Sequence, residues 1–220
     1  MKTIVIAPHP DDEVLGVGGT LMRRKAEGVK MAWLIVTGIT AEAGWSGEKI
    51  KQRADEIKRV TELIGFDSVF ELNFPTTQLD QVSMSDLVAA ISNVFKTFEP
   101  EEVFVPHPSD VHTDHRIVFD AVASCTKWFR YSSVKRVLAY ETLSETDFGL
   151  RANQAFRPNV FINIEPYLAE KLQAMNIYES ELGEFPFPRS HEAIRALAKL
   201  RGAASGFKAA EAFELLREIS

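Results

Sequence analysis

Apolar and polar positions alternate along the chain between short β-branched runs and longer segments with helical spacing. Residues 3–7 and 30–37 are apolar runs that predict buried strands, whereas residues 15–28 and 48–64 have the spacing of amphipathic helices. The same pattern predicts further strands at residues 68–72, 102–106, 137–141 and 160–164, and further helices at residues 84–98, 114–129, 166–178, 191–201 and 209–219. Strands that alternate with helices are typical of βαβ units. The pattern therefore predicts a Rossmann-like α/β fold, in which helices sandwich a mostly parallel sheet.

Length and composition are those of an ordinary globular chain. The 220 residues are 45% hydrophobic and 25% charged, which suits one α/β domain with a full core and is short for two. We therefore expect a single domain over residues 1–220. The net charge of −6 disfavours nucleic acid and anionic membrane as partners, because both require a basic surface. A small molecule is the expected partner, and the sequence leaves open whether the chain forms a homo-oligomer.

Cysteine usage and the N-terminus favour the cytoplasm. Cys125 is the only cysteine, which excludes an intrachain disulfide and fits a reducing compartment. The N-terminus runs directly into a predicted strand without the regions of a secretory signal, and no apolar run is long enough to cross a bilayer. We expect a cytoplasmic protein, with Cys125 as a small core residue on an amphipathic helix.

A histidine and three acidic residues follow the first predicted strand. The run from Ala7 to Glu13 reads Ala-Pro-His-Pro-Asp-Asp-Glu. Open α/β sheets hold their active sites at the carboxyl ends of strands. Because the chain must reverse between His9 and Asp12, their side chains can converge on one point, as two metal ligands would need to. The alternative is that Asp11 or Asp12 is an ordinary N-cap of the following helix.

The fourth predicted strand ends in a second polar cluster. From His107 to Arg116 the chain reads His-Pro-Ser-Asp-Val-His-Thr-Asp-His-Arg, so four of the five histidines lie in the two strand exits. Two histidines, one carboxylate and an open position form the ligand set of hydrolytic zinc sites. A single histidine in such a loop is more often solvated, but two clusters at one sheet edge favour a metal site. Zn²⁺ is the expected ion, with another divalent transition metal as the alternative.

The glycines between residues 16 and 19 have a spacing similar to that of dinucleotide-binding turns. Here, however, Pro10, Asp11 and Asp12 occupy the turn, and their negative charge would repel a pyrophosphate. We expect these glycines instead to let the helix pack closely on the sheet.

Two motifs carry a family resemblance. The string HPDDEVLGVGGTL from His9 to Leu21, together with HTDHR from His112 to Arg116, resembles the LmbE/PIG-L family of zinc-dependent N-deacetylases. Similarity extends over residues 53–65 and, more weakly, over residues 158–161 and 209–214, so the resemblance covers nearly the whole chain. The family removes acetyl groups from molecules that contain N-acetylglucosamine, among other amides.

The resemblance implies roles for three residues of the first motif and for the last histidine of the second. His9, Asp12 and His115 correspond to the family's zinc ligands. Asp11 corresponds to its general base, a role that also fits a carboxylate placed beside a ligand but turned elsewhere.

The remaining candidates are a histidine, its acidic neighbour and an arginine. The resemblance implies that His112, helped by Asp114, stabilises or protonates the intermediate, and a bond between the two would raise the pKa of His112 so that it is charged near neutrality. Asp114 alternatively caps a helix. Arg53 corresponds to an arginine that reaches the substrate, although pairing with Glu56 on the same helix face is equally compatible. Asp110 stands near the position of a tyrosine in some members, which leaves the oxyanion donor open.

The leading hypothesis is a zinc-dependent hydrolase that removes an N-acetyl group from an N-acetylglucosamine-type sugar or sugar conjugate. One alternative is a metal-dependent hydrolase of another amide, with a different acyl group or a non-sugar substrate. An alternative from another class is a non-enzymatic, metal-dependent sugar-binding protein. Asp11 argues against this last alternative, because binding alone has no use for a base.

Overall fold

The computed structural model describes residues 1–220, apart from the side chain of residue 152. Its strands are β1 (Lys2–Ala7), β2 (Lys30–Gly38), β3 (Ser68–Pro75), β4 (Glu102–Pro106), β5 (Arg136–Tyr140), β6 (Val160–Asn163) and β7 (Ala210–Glu218). They form one seven-stranded sheet in the order β3-β2-β1-β4-β5-β7-β6. The five strands from β3 to β5 in this order pair in parallel, whereas β7 is antiparallel to both β5 and β6. The predicted mostly parallel α/β fold is confirmed.

Helices cover both faces of the sheet. They are α1 (Asp12–Ala26), α2 (Gly47–Ile64), α3 (Met84–Phe98), α4 (Thr113–Ser124), α5 (Leu168–Met175) and α6 (His191–Ser205). Residues of α1, α2, α5 and α6 share one buried apolar cluster with the sheet, and residues of α3 and α4 share a second cluster on the opposite face. Cys125 is buried in the second cluster, as expected. None of the helices in the described part of the chain is long and apolar enough to cross a membrane.

Local signals explain where the outer helices begin and end. Ser46 caps α2 and Ser190 caps α6, because each hydroxyl accepts a hydrogen bond from the backbone amide three residues later. Both helices stop at a glycine in the left-handed conformation, Gly65 at φ 79° and Gly206 at φ 79°. The predicted end of α2 at residue 64 is confirmed, whereas α6 continues to Ser205, beyond its predicted end at residue 201.

The glycines of α1 serve close packing, as the sequence indicated. A Cβ atom at Gly16 would lie 2.3 Å from the ring of Tyr140, and one at Gly19 would lie 2.8 Å from Ile164. Any larger residue would therefore push α1 away from β5 and from the segment that follows β6.

The prediction of a helix at residues 209–219 is wrong, because this segment forms β7. Its alanine, glutamate and leucine residues favour helix locally. Pairing with strands on both sides overrides that preference, and Phe213 becomes fully buried opposite Tyr140 of β5. Three other helices also differ in extent: α1 spans Asp12–Ala26 rather than residues 15–28, α4 ends at Ser124 rather than at residue 129, and α5 covers only part of residues 166–178.

The topology fixes the position of a functional crevice. From β1 the chain moves outward to β2 and β3, then returns to place β4 on the other side of β1. Open α/β sheets bind ligands at such a reversal, outside the carboxyl ends of the two central strands. Both polar clusters of the sequence follow these two strands, β1 and β4.

Candidate metal centre and active site

A cavity of about 360 Å³ opens at this crevice. Its floor consists of the strand-end residues His9, Asp11, Asp12, His112 and His115. Its walls come from the end of β2, the exposed face of α2, the end of β3, and the segments after β5 and α5. The seven candidate residues named from the sequence thus lie in or beside one cavity, although they come from three separate segments.

His9, Asp12 and His115 converge on one point. His9 Nδ1 lies 3.4 Å from Asp12 Oδ2, and His115 Nε2 lies 3.3 Å from the same oxygen. Ligand atoms arranged tetrahedrally around an ion with bonds of 2.0–2.1 Å are about 3.3–3.4 Å apart. Both separations from Asp12 to a histidine therefore match those between ligands of a tetrahedral zinc ion, and the three ligand atoms lie within 4.8 Å of one another.

Each of the two histidines is held from behind by a second carboxylate. His115 Nδ1 lies 2.9 Å from Asp110 Oδ2, and His9 Nε2 lies 3.0 Å from Asp114 Oδ2. Histidines that bind metals typically donate their other N–H to a carboxylate, which fixes the ring and its tautomer. This arrangement is the strongest structural support for a metal site, because it leaves one nitrogen of each ring directed at Asp12.

The electrostatics of the cluster fit the same conclusion. Burial opposes charge on His9, but its bonds to Asp114 and Asp12 raise its pKa to about 9. Burial likewise opposes charge on His115, yet Asp12 and Asp110 raise its pKa well above the usual value. The two histidines in turn lower the pKa of Asp12 despite its burial. The buried carboxylates thus favour positive charge at this point, which a divalent cation would supply.

Asp11 lines the same cavity, but its carboxylate contacts an arginine rather than either candidate histidine. Its backbone adopts φ 140° and ψ −28°, a conformation that costs a non-glycine residue about 1–3 kcal/mol. Its carboxylate accepts a hydrogen bond of 3.0 Å from Arg189 Nη1. Burial and the adjacent Asp12 raise the pKa of Asp11 to about 7, and Arg189 opposes that rise. Asp11 does occupy the N-cap position of α1, but its side chain makes no capping hydrogen bond, and Asp12 is already helical.

Two fully buried groups lie behind Asp11. Its backbone N–H donates to Glu13 Oε2 at 3.1 Å, and Tyr178 Oη lies 2.7 Å from Glu13 Oε1. Burial raises the pKa of Glu13 to about 8. Glu13 and Tyr178 are 0% exposed, so neither can contact a substrate.

His112 stands at the cavity edge beside His9, with ring centroids 4.5 Å apart. Its Nδ1 accepts the backbone N–H of Asp114 at 3.1 Å, so the proton of the neutral ring lies on Nε2. The expectation that Asp114 charges His112 is wrong, because the Asp114 carboxylate binds His9 instead. Burial and the neighbouring His9 and His115 lower the pKa of His112 to about 4. His112 is therefore a neutral hydrogen-bond donor near pH 7.

Asp114 does not cap α4. His112 takes that position, and the Asp114 carboxylate accepts the backbone N–H groups of Thr77 at 2.7 Å and Leu79 at 3.2 Å. These contacts and His9 lower the pKa of Asp114 against the effect of burial. Asp114 thus connects the loop after β3 to the metal centre.

Arg53 both pairs with Glu56 and lines the cavity, so its position is compatible with both interpretations of the sequence. Its Nε lies 3.3 Å from Glu56 on the same helix face, as the ion-pair reading expected. Its other nitrogens donate to Pro10 O at 2.8 Å and Glu181 at 3.0 Å, and the side chain lines the cavity. Arg53 is therefore placed where a substrate could meet it, but its role in binding stays a prediction.

Sequence reasoning missed several functional-looking neighbours. In the sequence, Asp110 stands out only as a departure from a family pattern. It lies five residues before His115, just ahead of α4, where its carboxylate reaches the His115 ring. Glu181 and Arg189 reach the site from residues 176–190, where no motif marks them; Arg189 Nη1 lies 3.2 Å from Glu181. His107, the first residue of the second cluster, is 2% exposed and bonds to the hydroxyl of Ser109 at 2.8 Å.

Comparison with protein families identifies the chain's relationships. Residues 4–126, which include both strand-end clusters, match the PIG-L family model, described as GlcNAc-PI de-N-acetylase. The chain belongs to the PIG-L family. Membership in this deacetylase family makes it an enzyme that hydrolyses amides, and it confirms the resemblance seen in the two motifs.

Individual PIG-L relatives extend the similarity over the whole chain. The chain is 26% identical over 230 residues to a diacetylchitobiose deacetylase from Thermococcus kodakarensis, covering 99% of this chain and 84% of the relative. It is 28% identical over 184 residues to a protein from Escherichia coli named uncharacterized deacetylase YaiS, covering 80% and 90% respectively. The solved structure of the conserved protein TT1542 from Thermus thermophilus superposes with a TM-score of 0.79 at 26% identity, covering 99% of this chain and 96% of that one.

Proposed function

We propose that the protein is a zinc-dependent hydrolase that removes the N-acetyl group from an N-acetylglucosamine-type amino sugar or sugar conjugate. The observation that carries the proposal is the His9–Asp12–His115 cluster. Its donor atoms have tetrahedral spacing, each histidine is backed by a carboxylate, and a separate aspartate lies next to it. This combination fits a hydrolytic metal site better than a storage or structural site, because structural zinc sites have four protein ligands.

Sugar substrates are supported by the comparisons and by the cavity. The matching family model and the Thermococcus relative are both named for N-acetylated amino sugars. The cavity has charged groups on one wall and the indole of Trp45, which is 41% exposed, on another. An aromatic face beside hydrogen-bonding groups suits a ring that has both C–H and hydroxyl surfaces.

Water is the nucleophile in the proposed reaction and Asp11 its base. A zinc ion held by His9, Asp12 and His115 would polarise the amide carbonyl and acidify bound water. Asp11 accepts a proton from the attacking water, whose oxygen forms a bond to the carbonyl carbon. The C–N bond then breaks and Asp11 returns the proton to the departing amine. The immediate products are acetic acid and the amine, which near pH 7 become acetate and the protonated amino sugar, so atoms and protons balance.

His112, Asp114 and Arg53 have supporting roles in this scheme. His112 Nε2–H donates a hydrogen bond to the carbonyl oxygen as that oxygen gains negative charge. Asp114 acts through His9, whose ring it orients, and through the amides of Thr77 and Leu79. Arg53 binds hydroxyl groups of the substrate from the α2 side of the cavity.

The wider setting of the enzyme follows the same proposal. We infer that residues 1–220 act as one LmbE-like deacetylase domain in the cytoplasm, with a small N-acetylated sugar as partner rather than nucleic acid or membrane. The single continuous sheet, the one buried cysteine and the net charge of −6 support these inferences. Light scattering coupled to size-exclusion chromatography would determine whether the enzyme forms a homo-oligomer.

A substrate panel tests the proposed activity. Zinc-loaded protein is incubated with diacetylchitobiose, N-acetylglucosamine, N-acetylglucosamine conjugates, N-acetyl amino acids and sugars with longer acyl groups, and free amine is measured. We expect release of amine from at least one N-acetylated sugar at a rate well above that for every non-sugar amide. Turnover confined to non-sugar amides would exclude the sugar assignment while retaining an amidohydrolase.

A further inference from the structure

Glu13 and Tyr178 form a buried polar pair that the proposed reaction does not use. Both side chains are 0% exposed, and Tyr178 Oη lies 2.7 Å from Glu13 Oε1. Tyr178 follows α5, more than 160 residues along the chain from Glu13. Buried polar groups cost stability unless they are hydrogen-bonded. A buried pair formed by residues so far apart in the sequence therefore suggests a specific role.

The other oxygen of Glu13 contacts the backbone of Asp11. The Asp11 N–H donates to Glu13 Oε2 at 3.1 Å, while the Asp11 carbonyl accepts the amides of Val14 at 3.0 Å and Leu15 at 2.9 Å. The carbonyl contacts begin α1 and are expected at any helix start. The amide contact is different, because a side chain supplies it at a residue whose φ is 140°.

That backbone conformation determines where the Asp11 carboxylate lies. It turns Asp11 toward Arg189 Nη1, at 3.0 Å, while the adjacent Asp12 faces His9 and His115. Relaxation of Asp11 to an ordinary negative φ would move its carboxylate relative to the candidate ligands. A strained conformation persists only where the surroundings impose it.

We propose that Glu13 is a positioning residue for Asp11: its carboxyl, held by Tyr178, fixes the Asp11 backbone so that the Asp11 carboxylate faces the attacking water. This inference rests on the proposed function, in which Asp11 is the base. It assigns Glu13 no contact with substrate or metal. Glu13 acts only through Asp11, and that dependence is open to a direct test.

The first test replaces Glu13 with methionine, which has a similar length and offers no acceptor. We expect kcat for the acetylated sugar to fall by about 10²-fold, since a small displacement of a catalytic group has effects of this size. KM should stay within about twofold and zinc content near one per chain, because Arg53 and the candidate ligands keep their own contacts. Glu13→Gln retains an amide oxygen for the Asp11 N–H, and we expect it to keep most of the wild-type kcat.

A double-mutant cycle separates positioning from general destabilisation. In an Asp11→Asn background, Glu13→Met should lower kcat no further, because the group that it positions is already lost. The matched control is Glu102→Met, which removes another buried carboxylate at the start of β4. We expect it to lower the melting temperature without a comparable loss of kcat. Folded Glu13→Met protein with wild-type kcat, or an additive loss in the Asp11→Asn background, would overturn the proposal.

Tyr178→Phe keeps the inference testable if Glu13→Met does not fold. We expect its kcat to fall several-fold, whereas Tyr131→Phe, which loses a buried hydroxyl bond to Ser92 on the opposite face of the sheet, should have unchanged kcat. Equal kcat values in the two variants would contradict the proposal. Crystal structures provide a readout without turnover: Asp11 should lose its positive φ and its Arg189 contact in Glu13→Met but not in Glu13→Gln. If wild-type protein hydrolyses no amide, the proposed function fails, and the Asp11 geometry in these structures still decides the positioning claim.

Discussion

Two adjacent carboxylates at the end of β1 have opposite environments. Asp12 contacts two histidines that stabilise its ionised form, whereas Asp11 contacts neither and lies buried beside a like charge, which Arg189 and, more weakly, His9 oppose. One strained turn separates the two side chains. The same residue type can therefore serve as a metal ligand at one position and as a proton acceptor at the next.

Asp11→Asn tests the base directly. The amide keeps the size of the carboxylate and can still accept a bond from Arg189, but it cannot take a proton from water. We expect kcat to fall by about 10²–10⁴-fold, the usual range for an acid–base group, with zinc content unchanged. Parallel measurement of kcat and of metal by atomic absorption checks both parts. Near wild-type kcat would remove Asp11 from the mechanism.

His112→Ala and His115→Ala should have different consequences. His112 contributes a donor at the cavity edge, so we expect its loss to lower kcat by about 10²-fold or more while the metal stays bound. His115 provides one of the candidate ligand atoms, so its loss should empty the site. Zinc content and kcat of both variants provide the comparison. If His112→Ala lost the metal and His115→Ala kept it, the two assignments would have to be exchanged.

At the level of elements, a buried ion pair joins α1 to α5 and β7. Lys171 Nζ lies 2.6 Å from Glu211 Oε1 and donates to Leu15 O at 2.8 Å. The Glu211 carboxylate also accepts the amides of Gly19 at 2.9 Å and Thr20 at 2.7 Å. These bonds fix α1, whose first turn contains Asp12, against the antiparallel edge of the sheet.

Lys171→Met should destabilise the fold, because it leaves the Glu211 charge buried without its cation. Breaking a buried pair in this way costs about 3–5 kcal/mol, which corresponds to a fall in melting temperature of roughly 6–20 °C for a domain of this size. Lys208→Met is the matched control, since Lys208 pairs with Glu165 at 2.7 Å on the exposed surface. Thermal unfolding followed by circular dichroism should show no measurable change for the control. Equal melting temperatures for both variants would contradict a stabilising role of the buried pair.

The sequence predicts elements well where local and long-range preferences agree. Strands β1, β2 and β4 are continuous apolar runs and were located within one or two residues, and α3 matches residues 84–98 throughout. Strand β7 was predicted as a helix, because pairing with β5 and β6 is invisible in a segment rich in helix-forming residues. Prediction failed where tertiary contacts decide the conformation.

The candidate site shows the same division. His9, Asp11, Asp12, His112 and His115 lie in two short motifs that the topology places at one crevice, so their convergence follows from the strand order. The proposed partners Asp110, Glu181 and Arg189 were not predicted, since their positions depend on side-chain packing between distant segments. The predicted partner of Asp114 was also wrong, because its carboxylate binds His9 rather than His112.

At the scale of the whole molecule, the fold brings a metal-binding cluster, a base and a substrate cavity to the carboxyl edge of one sheet. Residues of the β1 and β4 exits supply the chemistry, and segments from α2, β3 and the region after α5 supply the walls. In the proposed function, this edge of the sheet carries out metal-dependent deacetylation.

Removal and return of the metal test that claim most directly. Protein treated with a chelator and dialysed is assayed for amine release from diacetylchitobiose before and after addition of one equivalent of Zn²⁺, with His115→Ala as the control. We expect activity to disappear with the metal, to return on addition of zinc to wild-type protein, and not to return in His115→Ala. Full turnover by metal-free wild-type protein would contradict it.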